Sequence, residues 1–147
     1  MPVVRGCNLP DDLLYDVDNN LWYRPNGDGT YTVGMTMIAT GMAGQLVAFT
    51  AKKAGKTVNA GKSCATIESG KWVGPAKIAF DAEIVAVNDT LSENPKLANS
   101  DTYGEGWMVK VKPEDPGAVA KLTPGTAVAG PYEAKMAADE FEGCAAA

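Results

Sequence analysis

Ala65-Thr66-Ile67-Glu68-Ser69-Gly70-Lys71-Trp72-Val73 is the stretch on which the reading of this chain turns. Two strand-like runs, SCATIES at 63–69 and WVGPAKIAF at 72–80, meet here with Gly70-Lys71 as the central pair. Glycine at the first central position suits a type II′ hairpin turn, which needs a positive φ there. The pattern predicts a two-strand hairpin with Gly70 at positive φ and Lys71 at an exposed tip, its direction set by both strands. Such a lysine has two readings: an ordinary solvated turn residue, since exposed lysines are common, or an attachment point for a modifying enzyme.

Working outward, aromatic and β-branched residues at 21–23 and 31–35 flank the turn Pro25-Asn26-Gly27-Asp28-Gly29, which reads as a second hairpin. Residues 8–16 read as a capped helical turn. Thr36 is a candidate N-cap for a short helix ending at Ala43, with Gly44 just past its end. Residues 45–51, 83–87 and 107–111 read as further strands, and 92–106 as loop with a short helix. Asp115-Pro116 opens another helical turn, and 132–142 form an Ala-rich helix that Gly143 stops. About seven to nine short strands at close spacing predict a compact mainly β barrel or sandwich with short flanking helices. The expected division is an N-terminal extension at 1–20, a β domain at 21–131, and a C-terminal helix and tail at 132–147.

Composition narrows the function. The 147 residues are 46% apolar and carry a formal charge of -5. An acidic chain without cation clusters lacks what binds nucleic-acid phosphates or an anionic membrane. No apolar run approaches the ~18 residues of a membrane span, and residues 1–15 show no signal-peptide core, so the expected location is cytoplasmic. There is no histidine. That excludes Ser-His-Asp and Cys-His nucleophiles and metal sites built on histidine, so reactive chemistry here would come from an attached group. Cys7, Cys64 and Cys144 form no C-x-x-C pair and no disulfide framework. Cys64 reads as a small buried hydrophobe, Cys7 and Cys144 as incidental residues near mobile ends.

Several ordered motifs share one resemblance. They are Gly27-Asp28-Gly29-Thr30-Tyr31-Thr32-Val33-Gly34, Ala60-Gly61-Lys62-Ser63, the 65–71 stretch, Ile84-Val85-Ala86-Val87-Asn88-Asp89, and the run from Asn94 to Trp107, NPKLANSDTYGEGW. From about residue 21 to 142 the chain resembles the H protein of the glycine cleavage system and its lipoyl-carrier relatives. The resemblance implies a barrel-sandwich hybrid, or hammerhead, lipoyl-domain fold. It also implies lipoic acid joined by an amide to Lys71, with Glu68, Ser69 and Gly70 as recognition context. On that reading the chain is a carrier and not an enzyme, with a lipoate-attachment enzyme and a dihydrolipoamide dehydrogenase as partners. Its chemistry would be thiol–disulfide exchange on a swinging arm.

The working end departs from that family. Asn20-Leu21-Trp22 stands where an H protein usually has His-Glu-Trp, residues 35–42 are uncharged, and Trp72 follows the lysine. This pattern is similar to lipoate-binding proteins of the sulfur-oxidation pathway that uses a heterodisulfide-reductase-like complex. The expectation is therefore a carrier of sulfur intermediates and electrons whose partners include that complex. The alternatives are a glycine cleavage H protein carrying the aminomethyl group, and an unmodified H-like scaffold. The argument for the first is physical: a cationic amine needs a polar niche, because burying an unpaired ammonium is costly, whereas a disulfide arm tolerates apolar neighbours.

Overall fold

Alternating apolar and polar residues yield short strands through most of the chain, in a computed structural model that describes residues 3–70 and 72–144. In chain order the strands are β1 (Val3–Val4), β2 (Cys7–Asn8), β3 (Leu14–Asp16), β4 (Leu21–Pro25), β5 (Tyr31–Met35), β6 (Leu46–Ala51), β7 (Thr57–Val58), β8 (Ser63–Ser69), β9 (Val73–Lys77), β10 (Ala82–Val87), β11 (Val109–Pro113) and β12 (Thr123–Pro124). The helices are α1 (Met37–Ala43), α2 (Asp89–Glu93), α3 (Leu97–Ser100) and α4 (Ala129–Ala138), with 3-10 turns at Pro116–Lys121 and Gly125–Ala127. The mainly β architecture agrees with the sequence reading.

Seven strands form one antiparallel sheet in the order β12-β3-β4-β5-β11-β10-β7, and β6-β8-β9 form a second. The principal core joins residues of both sheets: Tyr23, Val33, Ile84 and Val111 from the larger, Phe49 and Ile67 from the smaller. Burying one such side chain contributes roughly 1.5–3 kcal/mol, so this interface outweighs any single polar contact in the chain. Tyr23 meets Phe80 with ring centroids 5.5 Å apart, and its hydroxyl accepts from the Ala79 N–H at 3.1 Å.

A second core lies on the other side of α1. It gathers Cys7, Leu9, Leu13, Tyr15, Trp22, Ile38, Tyr132 and Met136. The helical turn expected at 8–16 is not there. Leu9, Leu13 and Tyr15 are instead buried, and β3 pairs with β4 through Tyr15–Trp22 and with β12 through Tyr15–Thr123. Asn8, Asp11 and Asp12 supplied cap-like local signals, but strand pairing plus burial of three large side chains overrides so weak a helix preference. Residues 14–16, within the segment read as an extension, are thus a strand of the large sheet.

The cysteine reading also needs correction. Cys7 and Cys144 are joined in a disulfide across 137 residues, and Cys7 is fully buried. Spacing in the sequence could not reveal the pair, because the two halves come from opposite ends of the chain. In the chain-entropy picture a loop of that length stabilises by up to about 5 kcal/mol. Cys64 is free and fully buried, as read.

α1 matches its local signals. Thr36 accepts from the Ala39 N–H at 3.2 Å, and Gly44 takes a φ of 83° as its N–H donates to the Thr40 carbonyl. The Asn99 side chain fastens the exit of this helix, accepting from Leu46 N–H and donating to the Gly44 carbonyl, each at 3.0 Å. No helix among the described residues is long and apolar enough to cross a membrane.

Gly34 lets β5 pass beneath Trp22, since a Cβ there would lie 2.5 Å from the indole. Gly34→Ala should therefore cost about 1–3 kcal/mol through overpacking. Chemical denaturation should show a lower midpoint at unchanged slope.

Candidate functional site

β8 is hydrogen-bonded on both edges, to β6 and to β9, so its C-terminal end is held like the middle strand of a small raft. Glu68 sits opposite Ala48 on one side and Val73 on the other. Burial alternates along the strand, with Ile67 and Ser69 inward and Thr66 and Glu68 outward. A register shift between Leu46 and Ala48 leaves Val47 bulged and 58% exposed beside the tip.

The turn is closed by Ser69, whose N–H donates to the Trp72 carbonyl at 2.7 Å and whose Oγ donates to it at 3.3 Å. Gly70 is exposed, and a Cβ built on it meets nothing within 4 Å. Its φ lies outside the left-handed region, so the expected type II′ turn is absent. Closure comes from the two donors of Ser69, and glycine's conformational freedom is not used. Lys71 lies outside the described residues. The structure thus places Glu68, Ser69 and Gly70 at one hairpin end, with Glu68 and Gly70 exposed and Ser69 buried.

Trp72 folds back from the tip over Gly74, where a Cβ would overlap its indole, and remains 41% exposed. It forms one wall of a cleft of about 390 Å³. Ala39, Met42 and Ala43 of α1 also line that cleft, and Asp18, Asn19 and Asn20 reach it from the turn before β4. Lys77 of β9 brings the one cation among its described lining residues. Asn20 adopts a left-handed φ of 57°, which asparagine tolerates better than most residues. Its Oδ1 is buried and accepts no hydrogen bond among the described residues. The expectation of an apolar working end is therefore too simple: the cleft has an apolar wall and a polar, partly acidic rim. Sequence reasoning noted Asn20 only as a lost histidine and missed Asp18, because neither forms a motif with the distant hairpin.

Cys64, on the strand leading to the tip, has a thiol pushed up to about 11 by burial. It is not a nucleophile at neutral pH. Tyr103 and Trp107 pack against the second core. Gly106 lies so near the Leu97 carbonyl that a Cβ would be 2.6 Å from it, which is a packing role and not a phosphate cradle.

Residues 13–134 match the family profile described as Glycine cleavage H-protein. The chain belongs to the glycine cleavage H-protein family. Among its relatives are glycine cleavage system H protein 5 of Aquifex aeolicus, 54% identical over 120 residues, covering 79% of this chain and 80% of that one. H protein 2 of the same organism is 47% identical over 109 residues, covering 74% and 68%. The crystal structure of a glycine cleavage system H protein from Mycobacterium marinum is 32% identical with a TM-score of 0.73, covering 87% of this chain and 98% of that one. The fold is accordingly the lipoyl-domain fold of H proteins. Members of the H-protein family are carriers with covalently attached lipoate. The exposed hairpin end with open space around Gly70 fits a group that must leave the protein surface to reach other enzymes.

Two substitutions at the tip should separate. Gly70→Ala should change stability by less than about 0.5 kcal/mol, since its Cβ is unobstructed. Gly74→Ala should displace the indole and move the Trp72 ring N–H resonance in a two-dimensional NMR spectrum, with Trp22 and Trp107 unmoved. Native Cys64 should also resist iodoacetamide at pH 8. A rise of about two units above the usual thiol value leaves roughly a hundredfold less thiolate there, even before steric exclusion. Labelling at the rate of an exposed thiol would contradict its burial.

Proposed function

We propose that this chain is a cytoplasmic lipoyl carrier, modified at Lys71, that carries an aminomethyl group between the enzymes of glycine cleavage. The carrying observation is the rim of the cleft beside the hairpin, where Asp18, Asn19 and Asn20 meet apolar surface from α1. When bound, the lipoyl group supplies the sulfur pair that takes up the cargo and later exchanges electrons with a dehydrogenase.

The chain's own residues have three tasks. β6 and β9 hold β8 so that the tip is presented in one direction, and Ser69 closes the turn. Trp72 and α1 provide apolar surface on which a hydrocarbon arm can lie and exclude water. Asp18, exposed on the rim, offers its carboxylate to a cationic amine, which would otherwise lose hydration without compensation. Glu68, exposed beside the turn, serves with Ser69 and Gly70 as the context a lipoate-attachment enzyme reads. The remaining partner is a dihydrolipoamide dehydrogenase.

One observation favours a second reading. Trp72, an exposed apolar side chain beside the tip, suits a disulfide arm and favours a carrier of sulfur intermediates served by a heterodisulfide-reductase-like complex.

Mass spectrometry of protein made with lipoate and a ligase should show one lipoyl addition, lost in Lys71→Arg. Transfer to Lys77 or Lys62 in that variant would sink the site assignment. The lipoylated protein should accept the aminomethyl group from glycine decarboxylase. Asp18→Asn should shorten retention of that cargo by up to about fivefold, the worth of a surface ion pair. Absence of loading, together with impaired growth on reduced sulfur compounds when the gene is deleted, would select the second reading instead.

A further inference from the structure

The Cys7–Cys144 bond stands directly behind α1, on the side away from the cleft. The Cys144 sulfur lies 3.5 Å from the Met37 carbonyl oxygen in the first turn of the helix. A Cβ added to Gly41 would lie 3.4 Å from that sulfur and 3.1 Å from the Phe141 ring. Residues 37 and 41 are one helical turn apart and face the clasp, whereas Ala39, Met42 and Ala43 line the cleft. Seven uncharged residues thus separate a sulfur–sulfur bond from the surface beside the hairpin tip.

The tail reaches this position through a few polar contacts. Cys144 N–H donates to the Arg5 carbonyl at 3.0 Å, Arg5 Nη1 donates to the Phe141 carbonyl at 3.0 Å, and Arg5 pairs with Glu133 at 2.9 Å. The two sulfurs are not equally placed: Cys7 is fully buried, and Cys144 is partly exposed at the rim of the second core.

We propose that Cys7–Cys144 is a redox-active site for a dithiol reductant, and that its state is transmitted through α1 to the cleft. A thiolate of the reductant attacks the Cys144 sulfur, the accessible one. The Cys7 sulfur leaves with the bonding pair and takes a proton. The reductant's second thiol then displaces Cys144, which is protonated in turn. In sum the dithiol is oxidised to a disulfide, and two electrons and two protons pass to the cysteine pair. Bonded sulfurs sit about 2 Å apart and non-bonded heavy atoms about 3.5–4 Å, so reduction demands roughly 1.5 Å of separation. Cys7 is enclosed on all sides, so Cys144 must give. It abuts Met37 and Gly41, and its retreat withdraws or shifts the support behind α1. Disulfides are uncommon in thiol-buffered compartments, where a dithiol able to open this one would always be at hand. The significance of the cleft rests on the carrier reading; the thiol–disulfide step does not.

The test uses the Lys71→Arg chain, which lacks a lipoyl attachment point, in buffers of graded reduced to oxidised dithiothreitol. Maleimide tagging after acid quench and unfolding should give one tag, on Cys64, at the oxidising end and three at the reducing end, for the three cysteines present. The Met42 methyl and Trp72 indole resonances should shift in step with that titration. Cys7→Ser/Cys144→Ser should hold both resonances at their reduced positions in every buffer. Should that variant fail to fold, the titration of the Lys71→Arg chain decides alone. Three tags in every buffer, reduction only after unfolding, or movement confined to Met37 with Met42 and Trp72 fixed would each overturn the proposal. Lipoylation of the wild-type chain is measured separately, so failure of the carrier reading would be recognised as such.

Discussion

Pairing of β8 on both edges is the constraint from which the rest of the site follows. A hairpin tip in water has little reason to hold one direction, since a two-stranded ribbon by itself is marginally stable. Here β6 adds a second ladder to the outer side of the strand, and Ile67 and Ala65 anchor its inner face in the principal core. The tip can therefore expose Glu68 and Gly70 and still be aimed. Exposure suits both a modifying enzyme and later partners, and rigidity makes the same presentation available to each.

The helix α1 is the second structural theme. It has no charged residue and too few turns to be stable alone, so its position is set by what packs on it. Thr36 and Gly44 define its ends, Tyr103 accepts from the Met37 N–H at 3.0 Å, and Asn99 secures its exit to β6. Ile38 belongs to the second core, while Ala43 belongs to the first. A helix shared by two cores couples the joined chain ends to the cleft by contact alone.

The polarity of that cleft bears directly on what the carrier holds. Apolar surface suits the hydrocarbon of an arm, and acceptors suit a cation at its end. Asp18 and Asn20 come from a turn, and the apolar residues come from a helix and a hairpin, so the two demands fall on separate elements. Lys77 on β9 keeps the cleft from being uniformly negative. Such a division lets the rim change while the wall is retained.

Local chemistry made much of this legible in the sequence. The turn at 25–29, the cap at Thr36, the stop at Gly44 and the alternation of 63–69 each depend on residues within a few positions, and each stands in the structure as read. The motifs around Lys71 carried the family resemblance for the same reason, being contiguous. Other features were decided only in three dimensions. Residues 8–16 became strand because partners distant in sequence offered pairing and burial that outweighed cap-like signals. Asp18 and Asn20 became part of the site because β4 passes beside the hairpin, which no spacing encodes. Gly70 did not take a positive φ, because Ser69 closes the turn by other bonds. Cys7 and Cys144 met because the folded chain returns its ends to one place, a long-range closure to which local sequence is blind.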